Sequence, residues 1–343
     1  MALHLNIQRL LLIGVRIDVP PRPAEPRPPR RLLRLIESLG AAHRRFDERA
    51  VHFGHRYRSG YWAIYILSAF AVLCAVLPLA LGWDSPAHAM HPYSGGWAFA
   101  EVVVIGSVTA IYWRGHRLDW QGQWLHARTT AELTGYLAVI APLVDLSAAN
   151  DEPNWFLRVF DPGKTMRGTD EVAELCARNE SLARELLAEA WTDPEFVASY
   201  AQWTIGILES QKHYHARVAQ RHHALVHRVH ELTTWLFGLT AIGALTHLLV
   251  HTLWLSLVTT FFPALGASLH GALAQSEAYR LHATSQRLVG ELQSAIDAIQ
   301  AAVAGSEHSI TELKAAVEAA LALILEEHQD WHMLVRPHHL PLG

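Results

Sequence analysis

Polar positions almost vanish from four stretches of the chain. The first, YWAIYILSAFAVLCAVLPLALG from Tyr61 to Gly82, has 22 residues and no charge, long enough to cross roughly 30 Å of hydrocarbon. The second is WAFAEVVVIGSVTAIYW, Trp97 to Trp113. At about 1.5 Å per residue it reaches roughly 26 Å, enough for a span with anchored ends or local thinning. The third is LTTWLFGLTAIGALTHLLV, Leu232 to Val250, and the fourth is LWLSLVTTFFPALGASLHGALA, Leu253 to Ala274. Each pair is joined by a short connection, so the pattern predicts two transmembrane helical hairpins.

Between and around these runs the period changes to that of surface helices. LLRLIESLGAAHRRFDERAVHF, between Arg31 and Arg58, predicts a helix leading into the first run. In RLDWQGQWLHARTTAEL, Trp120, Trp124 and Ala127 share one helical face, and Arg128 and Glu132 form an i, i+4 pair. QSEAYRLHATSQRLVGEL after the fourth run repeats that spacing with Arg287 and Glu291. Two spans followed by an amphipathic helix thus occur twice, which suggests an internal duplication. Residues 150–230 hold Trp155, a PGKTMRGT turn and two long polar helices. SITELKAAVEAALALILEEHQDW opens with a capping pattern and predicts an amphipathic helix near the end, followed by an HH pair. Ahead of everything, LLLIGVRIDV is strand-like, and VPPRPAEPRPPRR cannot continue a helix and reads as an extended linker.

Charge turns the hairpins into a topology. Twelve arginines precede the first run; Arg114, Arg117, Arg128, Arg217, Arg221 and Arg228 lie between the pairs, and Arg280 and Arg287 follow the fourth. The connection WDSPAHAMHPYSGG has no Lys or Arg, and neither does the one around His251 and Thr252. By the positive-inside rule both termini and the central region are cytoplasmic, and only the two short connections face outward. Trp62, Trp83, Trp97 and Trp113 fall near run ends, where interfacial aromatics belong. A soluble bundle would have to treat the charge segregation as chance. Some sixty residues precede the first run, which does not fit a cleaved signal peptide.

The composition agrees: 51% of residues are hydrophobic, only 17% are charged, and net charge is −4. Nothing here points to a nucleic-acid partner. The lysines are Lys164, Lys212 and Lys314; with 23 His and abundant Ala, the usage fits a GC-rich genome. Cys74 and Cys176 sit in unlike settings, so no disulfide is expected.

Candidate chemistry is sparse. Glu101 lies one turn inside the second run, where it either snorkels to headgroups or contributes to a carboxylate ring at a pore mouth. His247, the strong polar residue within the other runs, is the second candidate for a pore or ion path; a transporter would need more such residues mid-span and ranks last. In HYHARVAQRHHALVHRVHE, His223, His227 and His230 share a face, with His215 two turns back. That spacing could bind metal or sense pH, but it lacks companion Asp or Cys and reads first as a polar helix meeting the interface. The PGKT piece lacks the glycine and strand of a phosphate loop. Pro263 and Gly266 in FFPALGASLHG suit helix packing. No nucleophile, dinucleotide or paired-carboxylate signature occurs, so neither an enzyme nor a cofactor is expected.

HRYRSGYWAIYILSAFAV, then two spans, then DWQGQWLHARTTAEL resembles the SLATT group and related uncharacterised two-span proteins of bacteria, the SMODS- and SLOG-associating transmembrane effectors. SQKHYHARVAQRHHALVHRVHELTTWLF, FFPALGASLHGALAQSEAYR and EEHQDW resemble longer members of that wider group. The positions that match its pattern are Tyr57, Arg58, Trp124, Arg128, Ala131 and Glu132, with Gln211, Tyr214 and His215 in the second half. The resemblance implies a homo-oligomeric effector of bacterial conflict systems that perforates or perturbs the membrane when a nucleotide-sensing partner activates it. Residues 1–44 hold no recognisable sensor, so sensing would fall to a separate protein or to the central helices.

The expected protein is therefore all-α and polytopic, with four spans and a cytoplasmic helical domain. Residues 1–31 form the Pro/Arg-rich segment, and 32–113 the lead-in helix and first hairpin. A cytoplasmic helical region covers 114–230, the second hairpin 231–274, and C-terminal cytoplasmic helices 275–343. A non-catalytic membrane scaffold that recruits a cytosolic partner is the alternative function.

Overall fold

The computed structural model describes residues 27–144, 169–305 and 309–334, with isolated positions before 27; side chains beyond 325 lie outside the description. The strand-like stretch, most of the Pro/Arg linker, Trp155, the PGKTMRGT turn and the HH tail fall wholly or largely outside it. The described residues form α-helices and short 3-10 turns, with no strand among them. In chain order they are α1 (Leu33–Ala80), α2 (Ser94–Arg117), α3 (Trp120–Ile140), α4 (Thr169–Leu187), α5 (Pro194–Leu249), α6 (Trp254–Gln275), α7 (Ala278–Ala304) and α8 (Ser309–Leu334). Among the described residues, four helical stretches are long and apolar enough to cross a membrane: Arg30–Ala80, His91–Arg117, Pro194–Leu249 and Trp254–Ala304.

The chain divides into two compact units. One contains residues 19–53, 121–217 and 284–343, the other 1–18, 54–120 and 218–283. The first is built as a water-soluble bundle is built. Leu32, Leu35, Leu137, Ile140, Ile299 and Val317 are fully buried in a continuous core with Leu208, Leu292 and Leu321. Each such side chain contributes about 1.5–3 kcal/mol on leaving water. In α4, Val172, Leu175, Cys176 and Ala183 bury one face. Asp170 and Glu171 in its first turn and Arg184 in its last complement the helix dipole.

The end of α3 is closed by side chains from elsewhere in this unit. The last carbonyls of a helix have no intrahelical donors. The Tyr200 hydroxyl donates to the Val139 carbonyl at 2.6 Å, and the Trp191 indole N–H donates to that of Pro142 at 2.7 Å. Tyr200 is wholly buried, stacked on Phe196 and edge-on to Trp191. Asp193 starts α5, its carboxylate accepting from the Glu195 and Phe196 N–H groups while pairing with Arg31.

The second unit obeys another rule. All four apolar runs lie in it, yet at most 22% of each apolar window is buried inside the protein. Phe99 is 70% exposed, Trp235 and Leu248 74%, and Leu249 84%. An apolar surface so extensive is not left to water; it belongs against lipid or another apolar partner. Its own buried cluster is small: Tyr61, Trp62, Leu225, Val229, Leu269, Ala272, Leu273 and Ala278.

Helices in this unit meet at glycines. A Cβ on Gly243 would stand 2.9 Å from Val258, and one on Gly266 would stand 3.3 Å from Thr233 and Phe237. These contacts run in opposite order along α5 and α6. Gly271 of α6 lies under the Tyr65 ring of α1, and Gly60 and Gly115 flank the Trp120 indole. Close approach at small residues is how helices gain contact where lipid removes the hydrophobic drive between them.

A two-residue break recurs. After α2, Leu118 and Asp119 separate it from α3; after α6, Ser276 and Glu277 separate it from α7. Asp119 has φ 42° and Glu277 φ 52°, left-handed values that non-glycine residues seldom adopt. The Asp119 N–H bonds the His116 carbonyl and the Glu277 N–H bonds that of Ala274, both at 3.1 Å. An apolar helix, an acidic left-handed break and a further helix therefore occur twice in the chain.

Candidate functional site in the apolar helices

Glu101 lies seven residues after Ser94, the start of α2, or roughly 10 Å along the helix axis. It is half-buried and within electrostatic range of the buried Cys74 thiol of α1. The Trp83 and Trp97 rings meet at 6.1 Å beside the connection that joins α1 to α2. A carboxylate among apolar side chains can attract a cation or carry a proton.

His247 lies two residues before the end of α5, next to the connection rather than mid-helix. Its ring stands 6.0 Å from that of His251, and its Nδ1 is buried without a hydrogen bond, as is Thr252 Oγ1.

A second polar group occupies the opposite ends of the apolar runs. Gln275 Nε2 donates to the Tyr57 hydroxyl at 3.1 Å, and Tyr57 packs edge-on to Tyr61. Burial raises the Tyr57 phenol above its ordinary value, with Glu277 and Tyr65 adding to the rise and the Gln275 bond opposing it. Arg58 is exposed and close enough to act on His222. Burial, with Arg221, Arg58 and His282, pushes the His222 imidazole down to about 4, so it is neutral at pH 7. The His223 and His282 rings lie 5.1 Å apart, and His282 Nδ1 meets the Ala219 carbonyl at 2.9 Å.

His223, His227 and His230 are all exposed on α5 but do not converge. His223 faces His282, His227 lies 3.5 Å from Glu231, and the His230 ring is 6.5 Å from His270. Among the described residues no three His, Cys, Asp or Glu side chains gather as a metal-ligand set.

The remaining positions singled out in the sequence fall in the other unit. Trp124 and Ala131 are both buried. Arg128 and Glu132 form an ion pair. Burial alone would lower the Arg128 guanidinium, but Glu132, Tyr214, Tyr136 and Asp47 together raise it above its usual value. The structure thus brings Arg128, Glu132 and Tyr214 into one neighbourhood. The Tyr214 ring packs edge-on to His215, which is buried with Nδ1 3.5 Å from Ser285 Oγ. Gln211 is half-buried on the same helix.

Several contacts had no signal in the sequence pattern. Gln275 and His282 come from beyond the fourth run and meet residues 218 and 63 positions away. The Trp120 indole between Gly60 and Gly115 could have been suspected only from two glycines near run ends.

Comparison with family models, curated proteins and solved structures finds no match for this chain.

Proposed function

We propose that the chain is a bacterial inner-membrane protein that crosses the bilayer four times as two hairpins, with both termini and the soluble-type unit in the cytoplasm. Its activity on this reading is that of a homo-oligomeric pore-forming or membrane-perturbing effector in a conflict or defence system. The cytoplasmic helices receive the signal, delivered by a separate nucleotide-sensing protein as the SLATT-like pattern implies. No catalytic activity, resident cofactor or nucleic-acid partner is assigned.

One observation carries the reading. All four apolar runs collect in a single unit whose Phe99, Trp235, Leu248 and Leu249 remain exposed, while the other unit has a closed core of its own. A membrane solvates the first and water the second. The half-buried Glu101 supplies the polar element that a cation path needs.

The test is membrane potential and growth in cells induced to express the wild type or Glu101→Ala. Depolarisation by the wild type that weakens in the variant supports a path past Glu101. Equal depolarisation by both keeps the pore and returns Glu101 to an interfacial role. Absence of depolarisation, with the protein shown to be in the membrane and its sensing partner co-expressed, refutes the pore. The scaffold reading would then take its place, favoured by the exposed His223, His227 and His230 along α5 as a docking face.

A further inference from the structure

We propose that His247 and His251 form a site for a divalent transition-metal cation of the imidazole-seeking class, Cu2+, Ni2+ or Zn2+, at the connection between α5 and α6. The geometry comes first. The Val250 N–H bonds the Thr246 carbonyl at 2.8 Å, and the Thr252 N–H bonds that of Val250 at 2.9 Å, so the chain folds back as α5 ends. This turn sets the two imidazole rings 6.0 Å apart, centroid to centroid, with their planes at 50°. An ion about 2.1 Å from a nitrogen of each ring lies about 3.2 Å from each centroid, which places two rings sharing it roughly 5–6 Å apart.

The second observation is the polar atoms left over. His247 Nδ1 and Thr252 Oγ1 are both buried and neither has a hydrogen-bond partner. Buried polar groups are nearly always partnered, by protein, water or an ion. Two orphans within one six-residue stretch mark a place where a cation and its bound water would satisfy what the protein does not.

Electrostatics selects this pair over its counterparts. Neither short connection contains Lys or Arg, so no fixed positive charge on them opposes a cation. The His223–His282 pair is closer, at 5.1 Å, but Arg58 and Arg221 stand beside its neighbour His222. The His230 and His270 rings are farther apart, at 6.5 Å, and neither has an orphaned buried nitrogen. Two imidazoles leave the remaining positions of the ion open to water or to the Thr252 hydroxyl. The site is therefore an exchangeable one and not a closed structural centre.

The experiment is Cu2+ titration of the full chain, free of any affinity tag, in detergent micelles, followed by electron paramagnetic resonance and calorimetry. The expected result is one tightest site per chain, with nitrogen coupling from two imidazoles. His247→Gln and His251→Gln should each weaken it by roughly tenfold or more, while His230→Gln leaves it unchanged. A tightest site of unchanged affinity and signature in both variants overturns the proposal. Should His247→Gln fail to fold, the exposed His251 decides the matter alone.

Discussion

Adding one methyl group at Gly271 tests the helix packing of the apolar unit. A Cβ there would lie 2.5 Å from Tyr65 Cε1, 3.0 Å from Cδ1 and 3.1 Å from Cζ. Comfortable carbon contacts begin near 3.5 Å, so the ring must retreat by about 1 Å or α1 and α6 must separate. Overpacking of this kind costs about 1–3 kcal/mol. Alanine also has a helix propensity about 1 kcal/mol better than glycine, which would mask part of the loss. Gly238, in α5, removes that ambiguity, since a Cβ there meets nothing within 4 Å. The expected result is that Gly271→Ala is less stable than Gly238→Ala by about 1–3 kcal/mol. The assay is helical unfolding by dodecyl sulfate titration in mixed micelles, followed by circular dichroism. In a Tyr65→Ala background the penalty of Gly271→Ala should largely disappear, because the ring in conflict is gone, although Tyr65→Ala alone costs packing. Equal stability of the two glycine variants would refute the packing of Tyr65 across α6.

Two further outcomes follow from single residues. His222 titrates near 4 when folded against 6.5 for an ordinary imidazole, so between those values the unfolded chain binds more protons and stability falls as pH drops. Unfolding at pH 7 and pH 4.5 should show this loss in the wild type and a smaller one in His222→Gln. Tyr200→Phe leaves the Val139 carbonyl without its 2.6 Å donor in a buried setting, and should cost about 1–3 kcal/mol in the same unfolding measurement.

The helices were legible where the signal is local. The run ending at Trp113 lies within α2, which continues to Arg117; the run 253–274 is α6, Trp254–Gln275; the run ending at Val250 stops one residue beyond α5. Length and absence of charge decide these cases, and both can be counted. The i, i+4 pairs Arg128–Glu132 and Arg287–Glu291 also needed only spacing. The breaks at Asp119 and Glu277 were not legible, because the left-handed position is filled by an acidic residue where glycine would have announced it. Nor was the division of the chain: α1 and α5 each run through residues of both units, and nothing in the helical period changes at 53 or 217. The histidine face at 223, 227 and 230 was visible as spacing. The Glu231 partner of His227 is an i, i+4 neighbour and could be read from spacing, but the partners of His230 and His223 are His270 and His282, on other helices.

Accessibility from the two sides of the membrane tests the central claim most directly. Cys74 and Cys176 are buried, leaving a low background for single introduced cysteines at Ser85, His251 and Ser181, all exposed positions. A membrane-impermeant maleimide applied to spheroplasts should label Ser85→Cys and His251→Cys, and should reach Ser181→Cys only after permeabilisation. Labelling of Ser181→Cys in intact spheroplasts, or of only one of the two connections, would contradict the four-span topology.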